Sequence, residues 1–122
     1  VHGCANAMYL PQVIRFNAKD EVAAKRYADI AKFIGLESDT TEGLVKALCD
    51  KIEAYNVALN IPKCIKDYEN GMVPEDEFLE KLPEVAALAI SDACTGSNPR
   101  IPDQKQMEEL LKCCYYGTEV NF

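Results

Sequence analysis

The stretch VHGCANAMYLPQVIRFN, residues 1–17, opens the chain and holds its only histidine, His2. Small and apolar residues dominate it, and helical periodicity predicts a helix over residues 3–17. Pro11 lies inside this helix and removes one backbone donor, so we expect a kink at Leu10. Asn6 follows His2 by four positions, which places both side chains on one helix face.

A second informative stretch is DACTGSNPR, residues 92–100. Turn-forming residues fill positions 94–102, which predicts a loop there. The Asn98 side chain can bridge its own loop backbone, and Pro99 fixes the turn. Arg100 could pair with a carboxylate across a domain interface or be solvated. A structural role is the interpretation we favour for Asn98, Pro99 and Arg100.

A His-Gly pair opening a helix of small residues, followed by Leu-Pro and Arg-Phe-Asn, resembles one segment of the iron-containing (group III) alcohol dehydrogenases. Residues 94–100 resemble that family's Cys-Thr-Gly-x-Asn-Pro-Arg signature. The resemblance covers essentially the whole chain, but only the C-terminal part of a full-length member. It extends both to lactaldehyde or propanediol reductases and to the alcohol dehydrogenase part of bifunctional aldehyde-alcohol dehydrogenases.

The resemblance implies that His2 is a ligand of a catalytic Fe²⁺ or Zn²⁺ ion, which polarises the oxygen of the alcohol or aldehyde. A lone histidine is more often structural, and it is the surrounding motif that favours the ligand. The family's other ligands, one aspartate and two histidines, lie upstream and have no counterpart here. One imidazole does not hold such a metal by itself, so we expect these residues alone to bind neither metal nor NAD(P).

The resemblance also places Cys94 at the wall of the substrate pocket, near the nicotinamide. A helix-end thiol buried for packing is an equally weighted alternative. A nucleophilic role is disfavoured, because no histidine is available to activate the thiol. We therefore predict no catalytic residue in this chain. Asn6 could orient the metal ligand or be a surface amide.

Composition restricts the possible partners. The 122 residues fit one compact domain, and a hydrophobic fraction of 48% supplies a core. A net charge of −7 argues against binding nucleic acid or anionic membranes. Six cysteines are present, but no Cys-x-x-Cys pair and no secretory segment, so we expect reduced thiols in a cytoplasmic protein.

Helical periodicity recurs along the rest of the chain, and no alternating strand is evident. The predicted fold is all-α: a bundle of about six helices with short loops, similar to the C-terminal helical domain of dehydroquinate synthase-like proteins. The predicted segments are 20–34 ending at Gly35, a helix from an Asp39–Glu42 capping box to Asn60, 62–68, 74–93 broken at Pro83, and a last helix capped by Asp103 with Gln106.

The chain contains no glycine-rich phosphate loop. Because it begins directly at the candidate ligand, we expect residues 1–122 to be a single helical domain from a longer protein, lacking the N-terminal dinucleotide-binding α/β domain. That domain and a small alcohol or aldehyde are the expected partners. An apolar surface near residues 2–16 and 94–101 would then be exposed and would favour a homo-oligomer. The alternative is a non-catalytic helical module for assembly or binding.

Overall fold

The computed structural model describes all 122 residues as five α-helices and two short 3-10 segments. No strand is present, which confirms the all-α prediction. None of the helices combines the length and apolar character that crossing a membrane needs. The helices are α1 (His2–Asn17), α2 (Glu21–Phe33), α3 (Thr41–Ala58), α4 (Glu75–Ser91) and α5 (Gln104–Tyr116), and the 3-10 segments are Ile65–Asn70 and Thr95–Ser97.

Helix α1 lies between two hydrophobic clusters. On one side Ile14 joins residues of α2 and α3, among them Ala31 and Leu48. On the other side Phe16 joins residues of α4 and α5, among them Ala86 and Leu110. Two residues span about 200° around a helix, so Ile14 and Phe16 project to opposite sides of α1. The opening stretch of the sequence is therefore the element on which the two helix pairs assemble.

Local signals set most helix ends. Gly35 and Asn60 adopt the left-handed conformation expected after a helix, with φ of 84° and 56°. Asp103 and Gln106 form the predicted capping box of α5. The prediction for α3 is wrong by one residue, because Thr40, not Asp39, accepts the hydrogen bond of the Gly43 amide, at 3.0 Å. Glu42 therefore does not complete a capping box there.

The other corrections concern proline. Helix α4 continues through Pro83, where a break was predicted, and it ends at Ser91, not Ala93. Leu82 and Ala86 are buried on either side of that proline, so packing outweighs the loss of one backbone bond. The helix predicted from Pro62 starts later, as a 3-10 segment at Ile65, because Cys64 is extended with φ −151° and ψ 167°.

Pro11 lies within α1, which also continues through it. Without an amide hydrogen, Pro11 leaves the Ala7 carbonyl, four residues earlier, without its helical donor. The side-chain amide of Asn56 on α3 donates to that carbonyl at 2.9 Å. An interhelical bond thus replaces the missing helical one and joins α1 to α3.

Replacing Asn56 by alanine should lower the free energy of unfolding by about 2 kcal/mol, because the Ala7 carbonyl loses its partner. In a Pro11→Ala background, the restored amide of residue 11 can donate to the Ala7 carbonyl. There, Asn56→Ala should lower the free energy of unfolding by about 1 kcal/mol less than it does in the parent chain. Urea denaturation of the four proteins of this double-mutant cycle measures the difference. Strictly additive costs would show that the two donors do not substitute for each other.

The residues after α5 pack against α1. The amide of buried Val120 donates to Gln12 Oε1 at 3.1 Å. The Phe122 ring meets Phe16 edge to face, with centroids 6.1 Å apart. Segment 118–122 therefore contributes to the second hydrophobic cluster, which contains Val120.

Candidate active-site surface

His2 is the first residue of α1, and its side chain is exposed. Its Nε2 atom lies 3.0 Å from Nδ2 of Asn6, one helical turn later. An amide nitrogen can only donate, so the lone pair of Nε2 accepts this hydrogen bond. An imidazole nitrogen without a proton is the form that binds a metal ion. Nε2 has a single lone pair, so a metal ion at Nε2 would take the place of the bond from Asn6.

Whether these residues can hold a metal ion depends on how many metal-binding side chains lie close together. No three side chains of His, Cys, Asp or Glu come together at a spacing that could hold one. A metal ion bound through His2 would need its remaining ligands from outside residues 1–122.

Cys94 is exposed at the start of the Thr95–Ser97 segment, and its amide donates to Asp92 Oδ1 at 2.8 Å. It borders a cleft of about 360 Å³ between α1, α4 and α5, which we call the apolar cleft. Nine of the twelve residues lining it are hydrophobic, among them Tyr9 and Val13 of α1 and Leu111 of α5. The lining of the apolar cleft includes residues from both ranges near which an apolar surface was expected, 2–16 and 94–101.

One face of α1 connects His2 to the apolar cleft. His2, Asn6, Tyr9 and Val13 follow one another at intervals of four, three and four residues, so they lie along a single helical stripe. Tyr9 and Val13 line the cleft, and Cys94 forms part of its opposite wall. The structure therefore places His2 on the helical stripe that continues into the cleft bordered by Cys94, a residue 92 positions later in the sequence.

The loop that carries Cys94 is anchored to the end of α1 by two asparagines. Asn17 and Asn98 exchange side-chain bonds of 3.0 and 2.7 Å. Asn98 Nδ2 also donates to the Arg100 carbonyl at 2.5 Å, which confirms that this side chain bridges its own loop. Asn17 is buried and Asn98 is half-buried, so the pair is partly shielded from water.

Arg100 completes the anchor. Its Nη1 donates to the carbonyls of Phe16, at 3.0 Å, and Phe122, at 2.6 Å. The guanidinium also lies over the Phe16 ring, 4.0 Å from its centroid. The structural role predicted for Arg100 is confirmed, but through backbone carbonyls and a ring, with neither a carboxylate partner nor full solvation. We call Asn17, Asn98 and Arg100 the loop clamp.

The comparisons with known proteins give the family. The model described as "Fe-containing alcohol dehydrogenase family, C-terminal" matches residues 1–115, which include both motif stretches and the loop clamp. The chain belongs to this family. The family suggested by the motifs is thus confirmed, together with its oxidoreductase class.

Individual relatives agree with the family match. An NADPH-dependent butanol dehydrogenase of Clostridium saccharobutylicum is 46% identical over 121 residues, covering 99% of this chain and 30% of that protein. An aldehyde-alcohol dehydrogenase of Clostridium acetobutylicum is 37% identical over 93% of the chain and 14% of its own length. The bifunctional aldehyde-alcohol dehydrogenase of Escherichia coli K12 is 34% identical, over 97% and 15%. The chain spans less than a third of each relative.

The family domain contains six free cysteines, in agreement with the prediction of reduced thiols. Cys49, Cys64 and Cys114 are buried, whereas Cys94 is exposed. Burial raises the pKa of Cys49 to about 11, and burial followed by the neighbouring Cys113 raises the pKa of Cys114 to about 12. Both thiols therefore stay protonated near neutral pH, and Cys114 presents a neutral group to the apolar cleft.

These pKa shifts predict a loss of stability in alkali. An unfolded thiol ionises near pH 9, but folded Cys114 resists ionisation up to about pH 12. The contribution of the protonated Cys114 thiol to the free energy of unfolding is complete below pH 9. Above pH 9 this contribution decreases by about 1 kcal/mol for each pH unit. Urea denaturation in reductant from pH 8 to 11 should show this decline, and Cys114→Ala should reduce its slope. An equal slope in both proteins would contradict the assignment.

Several residues of this surface were not predicted from the sequence. Tyr9, Val13 and Leu111 line the apolar cleft, and Asn17 holds the loop clamp. The sequence did contain a signal for Asn17, because a polar residue on the buried face of a helix indicates a hydrogen-bond partner elsewhere in the chain. The cleft residues had none, because apolar side chains at helical spacing indicate a core equally well.

Proposed function

We propose that this chain is the metal-site domain of an iron-dependent, NAD(P)-linked alcohol dehydrogenase that interconverts small alcohols and aldehydes. In this proposal residues 1–122 follow an N-terminal dinucleotide-binding α/β domain in the complete cytoplasmic protein. The observation that carries the proposal is the stripe of α1 that begins at His2 and continues into the apolar cleft beside Cys94.

The residues of the stripe and of the apolar cleft have distinct roles in this proposal. His2 contributes Nε2 as one ligand of Fe²⁺ or Zn²⁺, and the bound metal supplies polarisation of the substrate oxygen. Asn6 orients the free imidazole through its 3.0 Å contact with Nε2 and would release that atom to the metal ion. Cys94 and Tyr9 form walls of the substrate pocket, where apolar surface suits the short carbon chain of an alcohol.

Other parts of the protein supply the rest of the chemistry. The nicotinamide nucleotide would be held by the α/β domain, because residues 1–122 contain no glycine-rich phosphate loop. The relative in Clostridium saccharobutylicum, an NADPH-dependent butanol dehydrogenase, supports both the cofactor class and the substrate class. Contact of the apolar cleft with the α/β domain, or with a second copy in a homo-oligomer, would shield it from water.

A non-catalytic module for assembly or binding is the second candidate. Its supporting observation is that residues 1–122 do not bring three metal-binding side chains together. The two candidates differ in what happens when the missing parts are supplied. A metal-site domain gains activity beside a dinucleotide-binding domain, whereas a binding module does not.

A chimera tests the proposal. The segment of the butanol dehydrogenase that aligns with this chain, at 46% identity, would be replaced by residues 1–122. We expect the chimera to reduce butanal with NADPH in the presence of Fe²⁺ or Zn²⁺, and the isolated chain to show no turnover. A chimera that folds and binds NADPH but stays inactive beside an active parent would refute the metal-site assignment. Turnover by the isolated chain would equally refute it.

A further inference from the structure

A second cleft lies between α1 and α3, around the helix from the stripe that carries His2. Its volume is about 380 Å³, within the range of small-molecule sites. Met8 and Gln12 line it from α1, Asn56 and Val57 from α3, and Lys63 from the following segment. We call it the α1–α3 cleft.

Gln12 contributes an unused hydrogen-bond donor to this cleft. The residue is only 5% exposed. Its Oε1 accepts from the Val120 amide at 3.1 Å and from Arg15 at 3.5 Å, which fixes the orientation of the side-chain amide. The Nε2 atom donates to no protein atom. Because no fully enclosed polar side-chain atom lacks a partner, Nε2 must be reachable from the cleft that Gln12 lines.

Asn56 contributes an unused acceptor. It is 9% exposed, and its Nδ2 donates to the Ala7 carbonyl at 2.9 Å. That bond fixes the amide orientation, and Oδ1 accepts no bond from the protein. Because no fully enclosed polar side-chain atom lacks a partner, Oδ1 of Asn56 must also be accessible to solvent or a ligand. A donor and an acceptor, both on buried side chains of facing helices, therefore line one cleft without partners.

One lysine beside the α1–α3 cleft is available to an anion. Asp50 pairs with Lys46 at 2.6 Å, and Glu53 pairs at 2.8 Å with Arg15, which Glu119 also approaches at 3.6 Å. Lys63 is the charged residue of the lining that forms no ion pair. A ligand entering the cleft thus finds one available positive charge beside the donor and the acceptor.

We propose that the α1–α3 cleft binds a small hydroxycarboxylate. The carboxylate would pair with Lys63, and the hydroxyl, which both accepts and donates, would bridge Gln12 Nε2 and Asn56 Oδ1. The carbon chain would lie against Met8 and Val57. This site is independent of the proposed metal site, because its lining shares no residue with the apolar cleft.

Three related probes test the proposal by NMR titration of the ¹⁵N-labelled chain at constant ionic strength: 3-hydroxybutyrate, butyrate and 1,3-butanediol. We expect saturable shifts in α1 and α3 with 3-hydroxybutyrate. Its Kd should be about fivefold lower than that of butyrate, which lacks the bridging hydroxyl. It should be about threefold lower than that of 1,3-butanediol, which lacks the charge. No saturation with 3-hydroxybutyrate, or equal affinity for all three probes, would overturn the proposal.

Two matched variants locate the binding. Lys63→Met should raise the Kd of 3-hydroxybutyrate about threefold and leave that of 1,3-butanediol unchanged. Lys51→Met is the control, because Lys51 is an exposed lysine of α3 outside the lining. Val57→Phe should weaken all three probes by narrowing the cleft. Equal effects of the two lysine variants, or none from Val57→Phe, would place the binding elsewhere and overturn the proposal.

Discussion

In the chimeric dehydrogenase, His2→Ala should lower kcat/KM for butanal by more than about 100-fold. Losing a residue that only supports a metal ligand costs up to about 100-fold in activity, and losing the ligand itself should cost more. The bound metal per protein should fall in parallel. The side chain is exposed and its hydrogen bond is to Asn6, so the fold should be unaffected. Steady-state kinetics, metal analysis and thermal unfolding measure the three quantities.

The controls separate a ligand from a merely nearby residue. Asn6→Ala should not lower the metal affinity, since it removes a donor that competes with the metal ion for the Nε2 lone pair. Lys25→Ala, an exposed residue of α2, should change neither quantity. If His2→Ala retained full metal content and activity, the imidazole would not be a ligand, and the proposed function would lose its principal residue.

Replacing Arg100 by methionine should lower the free energy of unfolding by about 3 kcal/mol. The change removes two charge-assisted bonds to the Phe16 and Phe122 carbonyls and the contact with the Phe16 ring. Arg100→Lys keeps the charge but loses the planar guanidinium that lies over the Phe16 ring, so it should recover only part of the loss. Urea denaturation at pH 7 measures both variants.

Arg26 provides the matched control for this series. It is an exposed arginine on α2, and Arg26→Met should change stability by less than about 0.5 kcal/mol. A cost below about 1 kcal/mol for Arg100→Met would mean that water replaces the guanidinium at both carbonyls. The loop clamp would then position Cys94 without contributing to stability.

Much of the fold was predictable because its determinants are local. Helix faces follow from the 3.6-residue period, and ends follow from residues such as Gly35, Asn60 and Asp103 within a turn of the boundary. The error at Thr40 is also local in origin, since two neighbouring residues could each cap the helix. The break predicted at Pro83 failed for a different reason, because burial of Leu82 and Ala86 outweighs a local preference.

The candidate site was predictable only in part. The motif around His2 and the motif around Cys94 each indicated a residue for the site. Neither motif showed that Tyr9 and Val13 would connect the two through a cleft. The second cleft left no local signal at all, because Gln12 and Asn56 are 44 positions apart and are ordinary amides until α1 and α3 pack together.

By itself the sequence determined the helical class, most helix ends and the family, since these depend on residues within a few positions of one another. Tertiary structure decided which buried polar groups become partners. Asn98 meets Asn17 across 81 positions, and Arg100 meets the Phe16 carbonyl across 84. The physical reason is that a buried polar group must be paired, and its partner becomes available only when distant segments exclude water together.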